Sequence, residues 1–266
     1  MRGQTGLFLR IGIAFLLLAG TLETACAAGP EITPYLSAQY FTWREYHAAR
    51  RLLKETGPLF AGGLDLALPV YRQAPNSLMI ESRHEVFGGY VDYDGETQEQ
   101  IPVKTEVSYV GTRHEIGAGW RHDAGGWTLE PFTSLGYRWW FRGLQDATSA
   151  NGQPSQGYTE YWQTGYLKLG GRGSCQVGPK FQVTGEAGAT YPFYASNYVK
   201  LKSVGPTTFS PEGLWSPFAQ AGLRYGGLRV TVSYEGFRFG ASPLKKGFLQ
   251  PESTSDLIGL NLGWTF

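Results

Sequence analysis

From Ile258 to Phe266 every bulky apolar side chain stands at an even position: Ile258, Leu260, Leu262, Trp264 and Phe266 alternate with Gly259, Asn261, Gly263 and Thr265. Successive side chains of a strand point to opposite faces, so this segment reads as one strand with an apolar face and a small or polar face. The same period of two runs through ten segments bounded by turn residues, at about 34–45, 58–71, 78–92, 105–122, 127–144, 158–172, 180–194, 214–225, 228–240 and 255–266. Each segment holds a run of alternate positions free of Asp, Glu, Lys and Arg, as in Leu64, Leu66, Leu68 and Val70, or Leu135, Tyr137, Trp139 and Phe141. Water gives no reason to exclude charge from one face so consistently. Hydrocarbon does, because an Arg or Lys facing lipid at mid-depth costs about 2–4 kcal/mol. The pattern predicts an all-β fold, a transmembrane antiparallel up-and-down β-barrel of about ten strands, with eight to twelve compatible.

The rest of the chain is consistent with that solvent. Arg2 and Arg10 precede an apolar run from Ile11 to Gly20, and Ala25-Cys26-Ala27 fits a small-residue cleavage site, so residues 1–27 read as a removed signal peptide and 28–266 as the barrel domain. The apolar run is too short for a helix that crosses a membrane, which takes about 20 residues. Gly is abundant at 37 residues and charged residues make up only 17 % of the chain, as expected when lipid-facing and lumen-facing residues take turns along each strand. Cys175 would be the one cysteine of the mature chain, which leaves no intrachain disulfide to close the fold. A formal net charge of +1 points to no nucleic acid partner. Nothing in the pattern suggests a cofactor or a metal site.

Aromatic residues gather near the segment ends, where lipid headgroups would lie. Trp120, Tyr225, Trp264 and Phe266 are expected in a periplasmic girdle and Trp139 in an outer one. The charges excluded from one face collect on the other. Acids at Asp65, Glu81, Glu85, Glu115, Glu130, Glu160, Glu186 and Glu235 face bases at Arg83, Arg113, Arg121, Arg138, Arg142, Lys168, Arg172, Arg224 and Arg229. In a narrow lumen such charges are tolerable when paired, and eight against nine nearly cancel. Arg83-His84-Glu85 recurs as Arg113-His114-Glu115, and a hairpin that sets Arg83 against Glu115 and Glu85 against Arg113 would make two cross-strand ion pairs. His84 and His114 would then face outward.

Gly117-Ala118-Gly119-Trp120-Arg121, Gly126-Trp127-Thr128-Leu129 and Leu135-Gly136-Tyr137-Arg138-Trp139-Trp140 resemble segments of small outer-membrane β-barrel proteins of Gram-negative bacteria, a group largely uncharacterised, and the strand ending in Phe266 resembles their closing strand. The resemblance implies the cell outer membrane, contact with its lipid and lipopolysaccharide, and recognition of the C-terminal strand by the barrel-assembly machinery. It implies a structural or surface-interaction role with the lumen closed by paired charges. A small-solute porin is the alternative reading, with lumen arginines selecting anions. Two enzyme resemblances are weaker. Asp92-Tyr93-Asp94 looks like the acidic pair of omptin proteases, but no Asp-x-His follows in residues 195 to 256 and only His47 is placed to face an outer vestibule. Ser82 beside His84, or Thr112 beside His114, fits loosely the Ser and His that a lipid A esterase needs on its lipid-facing wall.

Overall fold

The computed structural model describes residues 29–97, 99–201 and 205–266, so the expected signal segment lies outside the described residues. Ten long strands make the wall: β1 (Glu31–His47), β2 (Arg50–Gln73), β3 (Asn76–Glu96), β4 (Pro102–Asp123), β5 (Trp127–Leu144), β6 (Thr159–Gln176), β7 (Phe181–Leu201), β8 (Ser216–Tyr225), β9 (Leu228–Phe239) and β10 (Glu252–Trp264). Each pairs antiparallel with its chain neighbour, and β1 pairs with β10, Leu36 opposite Leu262 and Ala38 opposite Leu260. Closure removes the sheet edges, which matters in lipid because an unpaired backbone group there has no water to bond.

One end carries tight turns. Gly226, at φ 57°, turns β8 into β9 in a conformation that side chains resist. Around this end stand Trp120, Tyr225, Trp264 and Phe266, all exposed, with Trp120 stacked on Tyr71 at 6.2 Å between ring centroids. Above them the outer wall is a belt of apolar side chains in which Leu36 is 70 % and Leu135 57 % exposed, while the residues between them turn inward. Trp139, half-buried on the same wall, sits opposite Thr112 and Gln163 toward the other end.

The strands outrun the belt. β2 has 24 residues, whereas a tilted strand crosses the hydrocarbon with about 9–11. The excess lies at the outer end, and there the wall changes character. Beyond Tyr40 and Tyr90, the outward positions are Arg44, Lys54, Asp92, Asp94, Lys104, Glu106, Arg238 and Asp256, and Asp94 stands in register with both Lys54 and Lys104. Asp256 gathers Arg44 at 3.1 Å, Arg238 at 2.5 Å and the Tyr234 hydroxyl at 2.9 Å. Such a surface belongs in water, so this part of the barrel stands clear of the belt.

The segments read from the sequence place longer connections at 47–57 and 93–101, and this extension overturns both. The stretch 47–57 is not a long link: β1 and β2 continue to a turn at Ala48 and Ala49, whose φ angles of 50° and 62° are both positive. Likewise β3 runs to Glu96 and β4 starts at Pro102, so the link read over 93–101 shrinks to its last residues. The longer outer connections lie elsewhere. One carries the short pair Ala147–Thr148 and Pro154–Ser155, another carries Gly205–Phe209, which folds back on β7, and a third joins β9 to β10.

Candidate functional site

The inward face is layered. Nearest the tight turns is an open cavity of about 250 Å³ lined by charge. Arg172 bonds Glu81 and lies 3.6 Å from Glu186, Arg121 bonds Glu130 at 2.8 Å, and Asp65 holds Arg83 at 2.7 Å and Arg229 at 3.2 Å. Arg224 reaches Glu31 at 3.7 Å on the partly exposed rim.

The next layer is drier. The register does set Arg83 against Glu115 and Glu85 against Arg113. Only the second couple makes an ion pair, at 3.1 Å. Arg83 turns instead to Asp65 on the other neighbouring strand, which lies directly opposite it, and Glu115 receives the Tyr166 hydroxyl at 2.7 Å with the Lys168 ammonium at 3.7 Å. Arg113 also bonds Glu235, and Lys168 lies 3.8 Å from the same carboxylate. Tyr166 can cross the lumen because Gly136 faces it across the β5–β6 pair, where any Cβ would strike the phenol ring.

Arg138 corrects the expectation that every lumen base has an acid. Among the described residues it makes no ion pair. Its guanidinium lies 4.7 Å from the ring centre of Phe87, 5.2 Å from Trp140 and 5.5 Å from Phe237, so three ring faces replace a carboxylate.

Above it the lumen is aromatic. Trp140 and Trp162 stack at 5.3 Å with planes 6° apart, Trp43 meets Trp162 edge-on at 5.2 Å, and Phe237 and Phe239 complete the layer. Trp162 and Tyr166 have no exposed surface. Into this layer projects Arg142, surrounded by three buried glutamates. It donates from Nε to Glu55 at 2.9 Å, and its other nitrogens lie 2.9 Å from Glu160 and 3.5 Å from Glu45. The indole N–H of Trp43 donates to Glu45 at 2.9 Å, that of Trp162 to Glu160 at 2.7 Å, and the Tyr109 hydroxyl bonds Glu55. Glu45 and Glu55 did not stand out in the sequence as lumen residues, and Glu55 lies in the stretch read as a loop. Their signal was the odd-number phase they share with Phe41, Trp43, Leu53 and Leu59, all inward and buried.

Outside this layer opens a cup of about 560 Å³. Glu45 and Glu160 reach its floor, and Tyr93, Tyr158, Phe209 and Phe248 line its walls. Asn197 and Gln250 also line it, joined by a 2.8 Å hydrogen bond from Nδ2 to Oε1. Arg50 and Glu96 bond at the rim through two contacts of 2.6 Å.

The residues of the two enzyme resemblances are not assembled here. Asp92 and Asp94 are exposed on the outside of the wall, away from the cup, and His47 is exposed at the tip of β1. On the lipid-facing wall His84 and His114 share an Nδ1–Nδ1 hydrogen bond of 3.0 Å across the β3–β4 pair. Ser82 stands one pleat further along that face.

No protein-family model and no curated protein matches the chain. Solved structures do. The Escherichia coli outer membrane protease OmpT is 13 % identical, over 89 % of this chain and 96 % of its own, with a TM-score of 0.50. The chain has the fold of the bacterial outer-membrane β-barrels. An outer membrane channel from Pseudomonas putida F1 is 9 % identical over 92 % of this chain and 98 % of its own, with a TM-score of 0.42. The Yersinia pestis attachment invasion locus protein Ail is 10 % identical over 90 % and 100 %, with a TM-score of 0.29. At such identities the likeness is one of architecture. A fold does not fix an activity, so chemistry has to be read from this chain's own lumen and outer surface.

Proposed function

We propose that the protein is an integral outer-membrane barrel with a closed lumen, acting in envelope structure or surface interaction through its outer end. The observation that carries this reading is the buried layer formed by Trp43, Trp140, Trp162, Phe239 and Arg142 between the two open cavities. Below it the paired charges of β2 to β6 and β9 brace the lumen, so closure falls to aromatic packing and ion pairs together rather than to paired charges alone. Its surroundings on this reading are outer-membrane lipid and lipopolysaccharide around the belt, with the barrel-assembly machinery acting on β10, and no cofactor takes part.

The porin alternative draws on the two vestibules that face each other along one axis. It requires the Trp43–Trp162 layer to part, and the three glutamates around Arg142 tie that layer to β1, β2 and β6. Liposomes carrying the refolded protein and a trapped small dye decide between the two. The proposal expects dye retention equal to that of protein-free vesicles; efflux that scales with protein content would reverse it.

A further inference from the structure

The floor of the outer cup has more acid than base. Glu45, Glu55 and Glu160 surround a single Arg142, and each carboxylate is less than a tenth exposed. Two negative charges are left for a proton or a bound cation to balance, since a buried carboxylate is costly without a partner. Acid alone would not make a site. Two further features point to a ligand of defined shape.

The first is the Asn197–Gln250 couple. Asn197 is 1 % and Gln250 5 % exposed, and after their mutual hydrogen bond the Asn197 Oδ1 acceptor and the Gln250 Nε2 donor have no partner. Buried amide groups are normally satisfied, and these two line the cavity. The second is the wall chemistry. Tyr93, Tyr158, Phe209 and Phe248 line the walls, and aromatic rings attract a cation that has shed water more strongly than a hydrated one. A bare divalent metal ion would want more oxygen ligands than Glu45 and Glu160 supply, whereas an organic ammonium takes carboxylates and rings together. The volume of about 560 Å³ lies within the range of pockets that hold small organic molecules.

We infer that the outer cup binds a small organic amine in its ammonium form, its positive nitrogen over Glu45 and Glu160, an N–H on Asn197 Oδ1 and its carbon chain between the aromatic walls. This deepens the surface-interaction reading and rests on the cup being a blind end.

Calorimetric titration of the refolded full chain in detergent, with spermidine as the amine and succinate and calcium chloride as controls, tests it. Saturable binding of spermidine is expected, weakened about tenfold or more in Glu160→Gln and in Phe248→Ala, a shift of about 1.4 kcal/mol per factor of ten. Phe248 lies on the outer connection away from the Arg142 cluster, so that variant reports on the cup even where Glu160→Gln fails to fold. Absence of saturable spermidine binding by the wild type, equal affinity in the folded variants, or tighter binding of succinate or calcium would overturn the inference. Dye retention in liposomes is read without any amine, so a leaking barrel and an empty cup are told apart.

Discussion

Arg142 shows how one side chain organises the outer half of the molecule. Its guanidinium is 1 % exposed and holds Glu45, Glu55 and Glu160, which come from three different strands. Replacing it by Met keeps much of the volume and leaves three carboxylates facing one another in a dry layer. Breaking a buried charge cluster in this way is expected to cost about 3–5 kcal/mol, seen as a lower midpoint in guanidinium unfolding; an unchanged midpoint would show that the cluster is not dry. Arg138→Met should be far milder, because no carboxylate loses its counter-charge and the three rings keep an apolar neighbour. At the rim, the hydrogen bonds from Arg50 hold the Glu96 carboxyl below the usual carboxylate range. The open rim therefore binds protons more readily than the closed one, so the pair supports closure above the ordinary carboxylate pKa of about 4.3 and loses that effect as pH falls through the lower, folded value. Amide protection at the outer ends of β2 and β3, taken relative to the free-chain rate at the same pH, should fall on acidification below that range, and the effect should vanish in Glu96→Gln.

At the scale of the element, each strand reads one solvent on its outside and another on its inside. In β5, Leu135 faces lipid near the middle of the belt while Gly136 faces Tyr166. Leu135→Arg should therefore destabilise the barrel in bilayers by about 2–4 kcal/mol. Gly136→Val should cost about 1–3 kcal/mol by driving the Tyr166 ring off Glu115, measured as a drop in the temperature at which the folded band disappears in gel-shift assays. The belt portions of β3, β4 and β5 were legible from sequence because lipid on one side and charge on the other give the sharpest possible alternation. The outer ends of β1 and β2 were not. There the outside carries Arg44 and Lys54 and the inside carries Glu45 and Glu55, so polar follows polar and the period of two fades into what reads as a loop. The site suffered for the same reason: Arg142 could be placed in the lumen, but Glu55 lay in the stretch where the signal fails, and Glu45 closed the segment 34–45 without standing out. Arg83 shows a different limit. Its register was readable, yet a residue with a neighbour strand on either side can choose its acid, and it chose Asp65.

Across the whole molecule the order from the tight turns outward is charged vestibule, ion-pair layer, cation–ring layer, aromatic layer and open cup. A closed wall of strands would permit a water-filled bore. What distinguishes this barrel is that Trp43, Trp162, Tyr166, Arg142 and Phe239, each no more than 2 % exposed, occupy the axis between the two cavities. Planar-bilayer recording of the refolded wild type beside a Trp43→Ala, Trp162→Ala double variant addresses that closure most directly. The account predicts a silent wild type and discrete conductance steps in the variant; steps of the same size in both would contradict it.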